Sequence, residues 1–407
     1  MTFNRSDFPA NFTWGTATAS YQIEGAVDVD GRGQTIWDAF TRVPGAIADG
    51  QTGDVADDHY RRFRQDVAIM ADLGVNAYRF SIAWSRIQPD GTGPANPKGV
   101  SFYRALCEAL LERHITPYVT LYHWDLPLAL EERGGWLERD TADRFADYAG
   151  VAVAELGDLV STWITLNEPW CSSLLGYAGG VHAPGRQLGS VAARAAHHLL
   201  LGHARAVPAI RATRPDAAVG LTLNLYSTRA ASLDPADQDA ARRVDGLVNR
   251  FFLEPVLTGR YPRDVLEDLA QTQWFAQHAA DDMHELAAPI DFLGVNYSSR
   301  HVVAAPPLGS PVTGEPAGLA YPGSESAVHR HRVPPHADGL ANPPGGHDRC
   351  ARTRALLPTR PAAIHHGERL GLPGRSRGRP DRGRGPAPLP GTARDGLLSG
   401  LEQGATA

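Results

Sequence analysis

Lysine is almost absent: Lys98 is the single one among 39 basic residues, so arginine carries nearly all the positive charge. Together with abundant Ala, Gly and Pro, that bias is what a gene of high GC content encodes. Cysteine is scarce too. Cys107, Cys171 and Cys350 lie far apart with no Cys-x-x-Cys pair, which excludes a disulfide framework and the common zinc spacings. They are expected as buried thiols. No window of eighteen apolar residues exists, and the N-terminus lacks a basic run followed by an apolar one. Neither a membrane span nor a secretory leader is therefore expected, and a cytoplasmic location is. Phe, Tyr and Trp vanish from Val328 onward, where residues 328–407 hold 13 Arg against six Asp and Glu. The rest of the chain carries 26 basic and 39 acidic side chains, an acidic body that argues against nucleic-acid binding.

What is present is a 407-residue chain, 43% hydrophobic, with enough apolar content for one large barrel or several smaller domains. Short β-rich runs alternate with segments of helical spacing. Strands are expected over 12–20, 76–82, 116–123, 161–168, 218–224 and 291–297, and helices near 57–73, 100–113, 140–156, 190–213, 236–253 and 262–270. Apolar strands separated by helices imply parallel βα units, which fit a (β/α)8 barrel better than an open sheet. Arg79, His123, Asn167, Glu168 and Asn296 all fall at or near strand C-termini, the face where such barrels build their sites. The loop at Gly31-Arg32-Gly33 does not open a helix as a dinucleotide fingerprint requires.

The chain is organised around residues 161–169, Ser-Thr-Trp-Ile-Thr-Leu-Asn-Glu-Pro. β-Branched and aromatic residues favour a strand, and Pro169 stops it because it has no N–H for the ladder. Glu168, preceding proline, is expected to be extended and to aim its carboxylate at a fixed angle, as a proton donor or as a plain loop charge. Arg79 reads either as a site residue or as an ion-pair partner, and Trp14, Trp84 and Trp163 as packing groups. His197, His198 and His203 share one helix without a matching carboxylate pattern, so no metal site is assigned.

Four motifs then occur in order: WGTATASYQIEG at 14–25, YRFSIAWSRI at 78–87, YHWDLP at 122–127 and TLNEP at 165–169. Residues 8–326 closely resemble the family 1 glycoside hydrolases, the β-glucosidase family. The resemblance implies a (β/α)8 barrel that hydrolyses small β-glycosides with retention and without metal or cofactor. It implies Glu168 as general acid/base and Asn167 on the sugar 2-hydroxyl. Gln22 and His123 would bind hydroxyls across the ring, Trp124 would line the pocket, Arg79 would lie against the nucleophile, and Asn296 and Tyr297 would complete the site. Ser298 stands where the family has a second aromatic that contacts the nucleophile.

The family's Thr-Glu-Asn-Gly motif, which carries the nucleophile on the seventh strand, does not occur in the sequence, nor does the sugar-binding eighth strand. The chain thus reads as about six βα units over 1–326 and an Arg/Pro/Gly-rich tail over 327–407, expected to be disordered or poorly packed. A basic linker or RNA-binding arm could look like this tail. An out-of-frame translation explains more. Codons for Ile364 to Pro373 can be written so that, read from their second base, they spell Ser-Thr-Thr-Glu-Asn-Gly-Ser-Ala-Tyr-Pro, and Asp338 to Asn342 likewise can spell Met-Gly-Trp-Gln-Ile. Three functions stay open: an impaired β-glucosidase, a catalytically dead sugar-binding protein, and a nucleic-acid adaptor.

Overall fold

The computed structural model describes residues 5–298, 300–305, 328–329 and 353–358. Its strands are β1 (Gly15–Ala17), β2 (Ala77–Ser81), β3 (Thr116–Tyr122), β4 (Thr162–Asn167), β5 (Ala218–Asn224), β6 (Ser227–Ala230), β7 (Phe292–Tyr297), β8 (Arg300–Ala304), β9 (Val328–His329) and β10 (Thr353–Pro358). Neighbours β1, β2, β3, β4, β5 and β7 run parallel in that order and form the wall of an incomplete (β/α)8 barrel. These are the six strands expected from the sequence. Strands β6, β8 and β9, which the sequence reading missed, form a small separate sheet just past the ends of β5 and β7. They are short, and Leu233 beside them is almost fully exposed, so no apolar alternation marks them.

Six strands of an eight-stranded barrel would leave the sixth with an unpaired edge. Instead β10 pairs antiparallel with β7, with Thr353 opposite Tyr297 and Pro358 opposite Phe292. An edge strand offers a row of free N–H and C=O groups, which another stretch of chain satisfies whatever its direction. Apart from β9 and β10, the 327–407 tail, Cys350 included, lies outside the described residues.

The central wall strands β2, β4 and β5 are buried on both faces, which is why they read as near-continuous apolar runs. In β4, Trp163, Ile164 and Leu166 are fully buried, so Trp163 is a packing residue. Around the wall, helix Asp140–Leu156 packs against helix Ala193–Thr213, and the Trp84 ring stacks on Tyr148 at 4.8 Å. The three histidines of the second helix are held by protein groups: His197 by Tyr261 and Asp282, His198 by the Trp136 carbonyl, His203 by Thr165. No helix among the described residues is long and apolar enough to cross a membrane.

Close strand approach depends on missing side chains. A Cβ at Gly220 would lie 2.3 Å from the Phe292 carbonyl oxygen, so β5 and β7 could not keep their spacing. Gly220→Ala is expected to lower stability by about 1–3 kcal/mol, the usual range for overpacking. Gly150→Ala, in the helix Asp140–Leu156 with nothing within 4 Å of its added methyl, should be neutral or stabilising. Thermal denaturation of the two variants checks the contrast.

Candidate active site

Parallel pairing aligns the strand ends, so residues far apart in sequence meet at one mouth of the wall. Asn167 ends β4 and Glu168 follows it. The Glu168 backbone is not extended: its φ is +47°, in the left-handed region. The pre-proline bias is overridden locally. Its N–H donates to the Thr222 carbonyl on β5 at 2.8 Å, while its own carbonyl accepts from the Cys171 N–H at 2.9 Å. Pro169 therefore does more than stop a strand. It opens a helical turn, a position where a missing N–H costs nothing. Trp124 is held similarly, at φ +80°. A non-glycine residue there costs on the order of 1 kcal/mol or more, and such strain clusters at functional sites.

Side chains then converge. The Glu168 carboxylate is buried, with the Asn296 amide donating to Oε1 and the Cys171 thiol donating to Oε2 at 3.1 Å. Arg79, from β2, donates through Nε to Thr120 Oγ1 at 3.0 Å and through Nη2 to Asn167 Oδ1 at 2.6 Å, with Nη1 3.5 Å from Asn296 Oδ1. Asn167 Oδ1 also accepts from Asn296 Nδ2 at 3.1 Å, and Asn167 Nδ2 meets His123 Nε2 at 3.0 Å. An amide N–H only donates, so Nε2 accepts and the proton of the neutral imidazole sits on Nδ1. Trp124 Nε1 donates to the Asn167 carbonyl at 2.9 Å.

Of the residues singled out in the sequence, Arg79, His123, Trp124, Asn167, Glu168 and Asn296 thus form one connected cluster. Gln22 and Tyr297 do not join its hydrogen bonds. Gln22 is exposed on the short helix Ser20–Ile23, and Tyr297, at the end of β7, is 44% exposed. A buried link ties the Gln22 helix to the His123 segment, because Ser20 Oγ donates to Asp125 Oδ2 at 2.7 Å. Ser20, Thr120, Asp125, Cys171 and Thr222 were missed in the sequence. Cys171 had a legible signal: it stands three residues after Glu168 in a turn opened by proline, so its side chain returns over the glutamate.

The model of glycosyl hydrolase family 1 matches residues 4–318. The chain belongs to glycosyl hydrolase family 1. "Beta-glucosidase A" of Thermotoga maritima is 48% identical over 305 residues, covering 75% of this chain and 68% of that protein. "Beta-glucosidase A" of Acetivibrio thermocellus is 47% identical over 296 residues, covering 72% and 66%. Among solved structures, a family 1 β-glucosidase from T. maritima superposes with a TM-score of 0.74 at 45% identity, over 82% of this chain and 72% of that one. A psychrophilic β-glucosidase from Micrococcus antarcticus gives 0.75 at 47%, over the same shares. This family 1 chain spans about two thirds of the length of the curated relatives it matches.

Two buried groups near the family 1 site titrate in opposite senses. Burial lifts the Asp125 carboxyl to about 7, against a partial pull from the Ser20 hydroxyl. Burial alone depresses His203, behind β4, to about 3. Between pH 4 and 7 the folded chain keeps an Asp125 proton that the unfolded chain has lost, so this group's contribution falls as pH rises. The unfolded chain binds a His203 proton below about 6.5 that the folded chain refuses, so that contribution is lost as pH falls. Each is worth up to about 1.4 kcal/mol per pH unit in its window. Across pH 4.5–6.5, Asp125→Asn should therefore make melting temperature rise more steeply with pH, and His203→Asn should flatten the rise. Denaturation curves at four or five pH values check both signs.

Proposed function

We propose that this chain is built as a β-glucosidase, hydrolysing terminal β-D-glucosides with retention, and that it is impaired because the nucleophile motif is missing. The observation that carries the reading is the Glu168 carboxylate, buried at the barrel mouth and held from both sides beside Asn167 and His123. A glycosidic oxygen departs as a poor alkoxide unless an acid protonates it, and Glu168 is the acid in place to do so. Asn167, His123 and Gln22 are assigned to sugar hydroxyls, where a matched partner sets specificity because an unmatched buried group stays unpaired. Trp124 lines the pocket and Tyr297 its rim. Arg79 holds Asn167 and Asn296 and neighbours the place of a nucleophile. No metal or cofactor enters the scheme.

Retention needs a second carboxylate about 5 Å from the first, on the opposite face of the ring. We assign its loss to the reading frame over residues 327–407. The end of the family match at residue 318, close to that boundary, supports the assignment. A second reading is a catalytically silent sugar-binding protein. It is favoured by the hydrogen bonds that join His123, Asn167 and Arg79 to one another, so the sugar-facing half is organised within the described residues.

Turnover of a nitrophenyl β-glucoside, before and after a one-base restoration of frame downstream of Ala327, tests the proposal. The chain as written should show kcat/KM roughly a thousandfold or more below the restored chain, the scale of losing one member of a catalytic set. Ordinary turnover by the chain as written overturns the impairment. No gain on restoration overturns the frame assignment. Calorimetry with a glucoside, giving binding without turnover in both forms, favours the sugar-binding reading.

A further inference from the structure

We propose that Ser20 and Asp125 are positioning residues: the buried hydrogen bond between them sets the spacing of Gln22 and His123, the two side chains assigned to hydroxyls across the sugar ring. The proposal rests on that assignment and deepens it, naming what fixes the grip and so which hydroxyl pattern the site accepts.

Gln22 is placed by its neighbours in sequence. It lies within the short helix Ser20–Ile23, and a buried polar residue stands two positions away on either side. On one side, Glu24 accepts from Arg86 Nε at 3.1 Å and from the Tyr103 hydroxyl at 2.7 Å, which fixes that end to the layer behind the wall. On the other, Ser20 and Ser81, the last residue of β2, hold each other. The Ser20 N–H donates to Ser81 Oγ at 2.8 Å, and the Ser81 hydroxyl donates back to Ser20 Oγ at 3.1 Å. The Ser20 hydroxyl then has one proton to give, and it goes to Asp125 Oδ2 at 2.7 Å.

Asp125 stands two positions after His123, as Ser20 stands two before Gln22. The bond therefore joins the two sugar-facing segments at equal distance along the chain from the residues they present. Both partners are buried, where water does not replace a lost bond. Further along, the Ile36 N–H donates to the Leu126 carbonyl at 2.9 Å and the Leu128 N–H to the Gln34 carbonyl at 2.8 Å, so the segments stay docked when the Ser20 bond is cut. What is lost is the fine spacing. A misplacement on the order of 1 Å can cost about a hundredfold in a preorganised site.

The full chain and its Ser20→Ala, Asp125→Asn and Gln22→Ala variants test this by calorimetry with a nitrophenyl β-glucoside. Ser20→Ala should weaken binding about tenfold or more. Asp125→Asn, whose carbonyl still accepts from Ser20, should stay within about threefold of the native chain. Added to Gln22→Ala, the Ser20→Ala change should cost less than about threefold more, because the spacing it sets no longer has a partner to serve. A merely structural loss would add its full cost there. An additive double variant, or native affinity in Ser20→Ala, overturns the proposal. Amide hydrogen exchange without ligand reads the strut itself, through the Gln22 N–H on the Ala19 carbonyl and the Glu24 N–H on the Ser20 carbonyl. Both should exchange about tenfold faster or more in Ser20→Ala and near the native rate in Asp125→Asn. Exchange unmoved by Ser20→Ala overturns the proposal. A native chain that binds no glucoside, with exchange as expected, counts against the proposed function and not against the strut.

Discussion

The Asn167 side chain is the junction on which the site hangs. Its one oxygen accepts from Arg79 of β2 and Asn296 of β7, and its nitrogen donates to His123 just past β3. One amide thereby laces three strands to a fourth at the same level of the wall. This works because the strands are parallel and because a register shift between Ile164 and Asn167 sets Thr222 opposite Asn167 across one boundary, while Asn296 lies opposite Asn224 across another. Slip one strand by a residue and every side chain on it turns to the other face, since strand periodicity is two. The cluster therefore reports the register of the whole wall, and the packed core behind it maintains that register. Trp163, Leu166, Leu221 and Leu293 are all fully buried in it.

Rigidity at the mouth is obtained by holding backbone where it would not go alone. Glu168 and Trp124 both sit at positive φ. Each is pinned by bonds that a relaxed conformation would lose: Glu168 through its N–H to Thr222, and Trp124 through its indole to the Asn167 carbonyl. The strain is local and modest, and the bonds that offset it cross between strands. A carboxylate held this way cannot retreat into a comfortable rotamer or drift with its loop, as an acid catalyst requires.

Much of this was legible in the sequence, for a physical reason. Runs such as Thr162 to Leu166 are β-branched and apolar because parallel strands are covered on both faces, and the first polar residues after them mark the strand ends. That is how Arg79, His123, Asn167, Glu168 and Asn296 could be placed together before any geometry. The conformation of Glu168 was not legible. The pre-proline bias is a one-residue preference, and it gave way to a hydrogen bond from a strand more than fifty positions away. Asp125, Ser20 and Thr120 were invisible for a similar cause. Short polar residues are common in loops and strands, and only the tertiary fold reveals that Ser20 caps a buried carboxyl. Gln22 and Tyr297 carried strong motif signals, yet their side chains stay outside the connected cluster. A motif fixes what a residue can recognise, not what it touches in the absence of ligand.

Strand direction also decides what the edge of β7 can offer the mouth of the wall. In a (β/α)8 barrel each strand delivers its C-terminal residues to the same mouth, because all strands run the same way. On the edge of β7, where a parallel neighbour would end at the mouth, β10 runs in the opposite sense. Thr353 lies beside Tyr297 at the mouth, and Pro358 beside Phe292 at the far end. An antiparallel strand can satisfy the edge's hydrogen bonds as well as a parallel one, so edge pairing alone does not decide which residues reach the mouth. Its C-terminal end points to the wrong side of the wall. Pairing an edge and delivering residues to the mouth are thus distinct demands: the first is met by any compatible backbone, the second only by a strand that runs parallel to its neighbours.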